Sequence, residues 1–370
     1  MNNNLRKYNR TAAIVLIRFS PVFGAIAGLI VGAIFVILWG ENPWLFIEEL
    51  FKGAFGSPSK IGATLNRTTP LLLAGLGTAI AWRSGAINIG QEGQLFMGGL
   101  GAAVVAFWVG GLPQAVGLPL TLIGGALFGM LLAGISAAFR LYNGVHEILT
   151  SLLLNFIGVL FVSFMIATVI NDPITSGNPQ TPIFPESAWL PIWRKLGSTH
   201  AGILIGVILT LIGSYIMWRT PIGFKLRMGG SSQKATRAAG YSPNKLFFLA
   251  MIISGGLSGL AGATEVTGSI YHRLVYAFGV NLGFDSLAVA LLANINPIAV
   301  LPSALFFGAL RAGTLSMQRA IGVPAVLLQI VQGSIMLFIV IGFALGKSKR
   351  LQKLIRSAEF DKLDTKVEEE

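Results

Sequence analysis

The stretch ILTSLLLNFIGVLFVSFMIATVIN, Ile148–Asn171, runs for 24 residues without a charge. A helix needs about 20 predominantly apolar residues to cross the hydrocarbon core of a bilayer. Four more uncharged runs have a comparable length: Pro21–Trp39, Ala201–Trp218, Leu246–Thr264 and Ala320–Gly346. Ser84–Phe139 carries only Glu92 and is long enough for two crossings, with Gly110, Gly111 and Pro113 making the turn between them. Across the chain 54% of residues are hydrophobic and 11% charged, and the mean hydropathy is +0.72. Soluble domains are about one quarter charged. The expectation is an all-α, polytopic transmembrane helical bundle.

Composition also removes several kinds of chemistry. There is no cysteine, so disulfides, iron–sulfur clusters and thiolate metal sites are excluded. His146, His200 and His272 lack metal-ligand spacing, and no Ser/His/Asp grouping is visible. Gly342–Ser348 looks like a phosphate-binding loop but has one residue too few between its glycines and follows an apolar run rather than a strand. The net charge of +12 is read as basic residues kept on the cytoplasmic side of a membrane, with membrane lipids rather than nucleic acid as the partner.

With a cytoplasmic N-terminal segment, 1–20, the chain threads as ten crossings: 21–39, 69–82, 90–109, 115–139, 148–170, 201–218, 246–264, 283–293, 298–310 and 323–345. A cytoplasmic tail, 346–370, follows the membrane domain, 21–345. This threading puts 19 of the 27 lysines and arginines inside and both termini in the cytoplasm. Segments 69–82, 283–293 and 298–310 are too short to span alone. They read either as re-entrant half-helices, which survive only where protein or a water-filled cavity satisfies their backbone, or as tilted helices, so the count stays at eight to ten.

An internal repeat accompanies the short segments. Ile87-Asn88-Ile89-Gly90 is followed by Glu92, and Val280-Asn281-Leu282-Gly283 by Asp285. Charges inside apolar runs are functional candidates, and matching broken helices in two halves point to a site near the midplane. Asn88, Gln91 and Gln94 surround Glu92, and Asn155 lies in an apolar helix. These groups either contact a polar substrate or pair with one another and cap helices. Gly24, Gly28 and Gly32, Gly125 with Gly129, and Gly255 with Gly259 recur at four-residue spacing, the pattern of closely packed helices. In the basic loop 219–245, a short polar helix is expected to end at Gly240, with Ser242-Pro243 opening the next. The loop is either a docking element or an ordinary positive-inside loop.

Three ordered stretches carry a family resemblance: Gly85–Gln94; His146–Phe156; and Gly283–Leu292 with Asn296-Pro297 and Leu305–Leu310 behind it. They resemble the permease subunits of the branched-chain amino acid and ribose permease superfamily, in its nucleoside-type and simple-sugar-type branch, over about residues 60–345. Ala293-Asn294 departs from the Gly-Arg of that pattern. The resemblance implies a permease subunit of an ATP-binding-cassette importer in the bacterial cytoplasmic membrane, for nucleosides or alternatively for ribose or another simple sugar. It implies a second homologous permease chain in a heterodimer, two ATP-binding subunits that hold ATP and Mg while this chain holds no cofactor, and a lipid-anchored or periplasmic substrate-binding protein. Carried over by motif, Asn88, Gln91, Glu92, Gln94, Asn155, Asn281 and Asp285 lie along the translocation path. Lys234, Arg237, Ala238, Ala239 and Gly240 form the ATPase-coupling loop. An ion-coupled secondary transporter using Glu92 or Asp285 is the competing class, and an intramembrane enzyme lacks a visible catalytic set.

Overall fold

A computed structural model describes residues 20–174, 177–321 and 325–346. Nearly all of the segments 1–20 and 346–370 therefore lies outside the described residues. Thirteen α-helices are present among the described residues: α1 Ser20–Leu38, α2 Pro43–Phe55, α3 Pro58–Arg83, α4 Gln91–Trp108, α5 Gln114–Asn143, α6 Glu147–Phe164, α7 Gly202–Arg219, α8 Pro221–Ser231, α9 Gln233–Ala238, α10 Pro243–Gly268, α11 Leu282–Leu292, α12 Val300–Ile321 and α13 Ala325–Gly346. A π-helical turn, Met165–Val169, extends α6. The only strands among the described residues form a small hairpin, β1 Ile192–Trp193 paired antiparallel with β2 Thr199–His200.

Two compact units can be distinguished among the described residues, one formed by those up to 47 together with those from 321 on, and the other by those within 48–320. In the first, α1 packs along α13. Its glycine stripe is the reason the two approach so closely. A Cβ on Gly24 would lie 2.2 Å from the Phe338 carbonyl oxygen, and one on Gly28 would lie 2.3 Å from the Ile335 Cα. Ile26, Ile30 and Ile34 on α1 remain exposed, as expected of surface meant for lipid.

The second unit is built around α10, which packs against α3, α4 and α5. Lipid tails are as apolar as leucine, so packing and hydrogen bonds rather than the hydrophobic effect hold such helices together. Gly125 and Gly129 on α5 face Gly255 and Gly259 on α10, with carbonyl oxygens 2.2–2.6 Å from where several Cβ atoms would stand. At one end of this unit Leu76, Ile80, Ala137, Met217, Leu226, Phe247 and Met251 close into a core. Along α6, Leu149, Leu153, Phe156, Leu160 and Phe164 stay exposed.

Eight of the ten sequence segments match helices to within a few residues, and two are corrected. Segment 69–82 is the second half of the 26-residue α3, and 298–310 lies within the 22-residue α12. Neither is a half-helix. Ser57 starts α3 well before the apolar run, its side chain accepting the Lys60 N–H at 3.3 Å, with Pro58 in the first turn. α11, with 11 residues, is short as expected. Among the described residues, six helices are long and apolar enough to cross a membrane, so the chain is a multi-pass membrane protein, and the count of eight to ten is not confirmed.

Candidate functional site

The two repeat motifs meet in space. Glu92, in the first turn of α4, turns its carboxylate to the start of α11. Oε1 accepts the Asn281 N–H at 2.6 Å and Oε2 the Gly283 N–H at 2.7 Å. A negative charge placed at the amino ends of two helices is favoured by both dipoles. Gly283 allows the approach, since a Cβ there would lie 2.2 Å from the Glu92 nitrogen. Asn281 has a left-handed backbone, φ 64°, at the cap of α11. Asp285, one turn further, accepts a hydrogen bond from Arg311 Nε of α12 at 2.6 Å, and Arg311 Nη2 reaches the Val280 carbonyl at 3.3 Å.

Next to this clasp sits an amide network, in which the Gln91 Oε1 has no hydrogen-bond partner among the described residues. Asn88 and Gln94 exchange side-chain hydrogen bonds of 3.0 and 3.1 Å, and Asn88 also donates to Ser254 Oγ of α10 and accepts from the Gly90 N–H. Gln91 donates to the same Ser254 hydroxyl. Asn155 spans from α6, accepting the Gly93 N–H at 2.8 Å and donating to the Ile89 carbonyl at 2.7 Å. Asn88, Gln91, Glu92, Gln94, Asn155 and Asp285 are all buried, while Asn281 is exposed. The structure thus brings together the polar residues singled out in the sequence, bonded largely to protein groups.

None of them lines a cavity of about 670 Å³ elsewhere in this unit. This space is walled by the first half of α3, the end of α10 and the segment after it, the hairpin and α12. Arg67 Nη1 faces Glu265 Oε1 across it at 3.4 Å. Lys60 Nζ donates to Ser316 Oγ at 2.8 Å. Asn66 fastens the hairpin to α3, donating to the Ser198 carbonyl and accepting the His200 N–H, each at 3.0 Å. Arg273 lies 4.0 Å from Asp172. Tyr271 is exposed, and Phe278 packs its ring on Phe96 with centroids 4.8 Å apart. Burial pushes the His200 imidazole down to about 4, and its Nδ1 accepts the Gly202 N–H, so it is neutral at physiological pH.

Sequence reading missed Arg67 and Glu265 because segments defined as uncharged runs began at 69 and ended at 264. The signal was available. Ser57-Pro58 marks a helix start, and no proline follows Pro243 before Gly268 ends α10.

At the opposite end of the unit stands the basic loop. Ser232 caps α9 by accepting the Ala235 N–H at 3.2 Å, Gly240 ends it with φ 81°, and Ser242 with Pro243 opens α10. Lys234, Arg237, Ala238, Ala239 and Gly240 are exposed, with Thr236 buried beneath them. Arg83 ties this end together, donating to the Ile295 and Asn294 carbonyls at 2.7 and 3.2 Å while it and Arg227 stack on the Trp218 ring.

Comparison with known proteins follows the same lines. A family model described as branched-chain amino acid transport system / permease component matches residues 61–340. The chain is 30% identical to the nucleoside ABC transporter permease protein NupB of Lactococcus lactis, over 98% of both chains. It is 34% identical to the guanosine ABC transporter permease protein NupP of Bacillus subtilis, covering 89% of this chain and 96% of the relative. It is also 32% identical to the glucose ABC transporter permease protein TsgB13 of Haloferax volcanii, covering 90% and 89%.

Proposed function

Because this chain belongs to the permease-component family of branched-chain amino acid transport systems, we propose that it forms the membrane pathway of an ATP-driven importer whose substrate is a nucleoside. The observation that carries this reading is the cavity beside Arg67 and Glu265. Its volume, about 670 Å³, falls in the range of about 300–1,000 Å³ usual for small-molecule sites. Its lining offers ring faces in Tyr271 and Phe278 and polar groups in Asn66, Arg67 and Glu265, which suits a flat base joined to a hydroxylated sugar. The nucleoside and guanosine permeases among the relatives point the same way.

In this reading the cavity faces the outside of a bacterial cytoplasmic membrane, and both termini are cytoplasmic. The residues that line it, among them Lys60, Arg67, Ser198, Glu265, Tyr271 and Ala312, fall in segments that the distribution of basic residues places outside. A substrate-binding lipoprotein delivers nucleoside there. A second, homologous permease chain completes the pathway as a heterodimer. Two ATP-binding subunits, which hold ATP and Mg, dock on the loop Lys234–Gly240, and this chain itself carries no cofactor. The buried set Asn88, Gln91, Glu92, Gln94, Asn155 and Asp285, with Asn281, frames the path below the cavity. When the ATPases move the loop, α10 carries the motion to that frame, because α10 begins three residues after Gly240 and supplies Ser254 to the amide network.

A simple sugar is the second reading, favoured by the likeness to the glucose permease. Uptake of labelled guanosine into cells with and without the chain separates the two, with unlabelled glucose and ribose as competitors and ATP depletion compared with collapse of ion gradients. Uptake that needs the chain and ATP and resists the sugars supports the nucleoside importer. Competition by either sugar at concentrations comparable to guanosine moves the assignment to sugars, and dependence on the gradients alone overturns the ATP-driven reading.

A further inference from the structure

Glu265 is placed where helix energetics do not call for it. It lies in the last turn of α10, three residues before the final Gly268, and a carboxylate near a helix carboxyl end is disfavoured by the dipole. Its only ion-pair partner among the described residues is Arg67, through one oxygen at a long 3.4 Å. The second oxygen, Oε2, has no hydrogen-bond partner among the described residues, and the side chain's 16% exposure is at the cavity it lines. Of the other charged groups of the wall, Lys60 bonds to Ser316, and Arg273 stands 4.0 Å from Asp172 with its Nε unbonded among the described residues. An ionised carboxylate accepts hydrogen bonds only, with room for several donors. Vicinal hydroxyls of a ribose offer two donors at that spacing, and carboxylates serve this purpose in dinucleotide sites.

Resting on the nucleoside reading above, we propose that Glu265 reads the ribose: it accepts hydrogen bonds from the 2′- and 3′-hydroxyls and gives the permease a preference for ribonucleosides over 2′-deoxynucleosides. Arg67 balances the charge and fixes the carboxylate's direction, acting as a positioning residue. The base then lies toward Tyr271 and Phe278.

The test measures uptake of labelled guanosine and 2′-deoxyguanosine side by side, in cells that hold the chain with its native partners. Wild type, Glu265→Gln and Glu265→Asp are compared at matched amounts in the membrane fraction. The binding protein is the same in all three, so a change in the ratio belongs to this chain. The expected wild-type ratio is roughly 10- to 100-fold in favour of guanosine, the span of a hydrogen bond to a charged group. Glu265→Gln is expected to bring the ratio down at least roughly fivefold, and Glu265→Asp, with its carboxylate drawn back by one methylene, to an intermediate value. Equal uptake of the two nucleosides by wild type, or a ratio unchanged in both variants, overturns the proposal while leaving the importer reading intact. Loss of both substrates in both variants at wild-type membrane levels also overturns it, because Glu265 is then a structural ion pair. No guanosine uptake by wild type, with glucose taken up, instead removes the nucleoside reading beneath it.

Discussion

Replacing Glu92 with Gln separates a clasp from a substrate ligand. The carboxylate holds two main-chain N–H groups at the start of α11, a part-buried one at 2.6 Å and a buried one at 2.7 Å, and stands in the first turn of α4. Hydrogen bonds to a charged group contribute about 1.5–3 kcal/mol each. A glutamine keeps one acceptor of the right geometry and presents an NH2 group to the other N–H, which removes one of the two bonds. It also forfeits the charge at two helix amino ends, each worth about 0.3–1 kcal/mol. The expected loss is therefore about 2–5 kcal/mol of stability. Urea denaturation of the purified, detergent-solubilised chain reads it as a lower midpoint, and guanosine uptake is expected to fall in proportion to the folded fraction, with its KM unchanged. An unchanged midpoint combined with a KM raised tenfold would refute the clasp and put Glu92 in contact with substrate.

Gly259→Ala, whose Cβ would stand 2.3 Å from the Gly125 carbonyl oxygen, is expected to destabilise by about 1–3 kcal/mol as overpacking. Gly111→Ala, with nothing within 4 Å, is expected to be neutral, and thermal denaturation of the two variants side by side checks the contrast. Burial lowers the His200 imidazole to about 4, below the value near 6.5 of an unfolded chain. The unfolded chain therefore takes the proton first as pH falls, and stability drops between about pH 6.5 and 4 by about 3 kcal/mol while staying flat above 7. Denaturation midpoints of His200→Gln are expected to lose that slope. Gly240→Val is expected to strain a left-handed position, φ 81°, by about 1–2 kcal/mol. Co-purification with the ATP-binding subunits should fall while the yield of folded permease holds.

The parts of the fold that follow from local pattern were legible in the sequence. Four-residue glycine spacing marked Gly24–Gly32, Gly125 with Gly129 and Gly255 with Gly259 as closely packed, while only the structure sets the last two pairs against each other. Capping chemistry located α9, Gly240 and the start of α10. The repeat Ile87–Gly90 and Val280–Gly283 was visible, but that its two copies touch through Glu92 required the three-dimensional arrangement, because the bonded groups are 189 and 191 residues apart. α3 and α12 were truncated for a physical reason. A membrane segment ends in sequence where the first charge appears, whereas a helix ends where its backbone is capped. Arg67 and Glu265 are affordable within helices because each faces the other across 198 residues, and no local window contains both. The hairpin was invisible because Asn66, on a helix, supplies the hydrogen bonds that anchor it.

The absence of cysteine from the chain permits a direct test of the claim that nucleoside enters the cavity from outside. A single Tyr271→Cys variant, on an exposed residue of the cavity wall, is treated in intact spheroplasts with a membrane-impermeant maleimide, with Arg237→Cys on the coupling loop as the counterpart. Tyr271→Cys is expected to label from outside, more slowly as guanosine is added but not as glucose is added, and Arg237→Cys to label only in inside-out vesicles. Labelling of Tyr271→Cys only after permeabilisation, or at a rate indifferent to guanosine, would contradict the account.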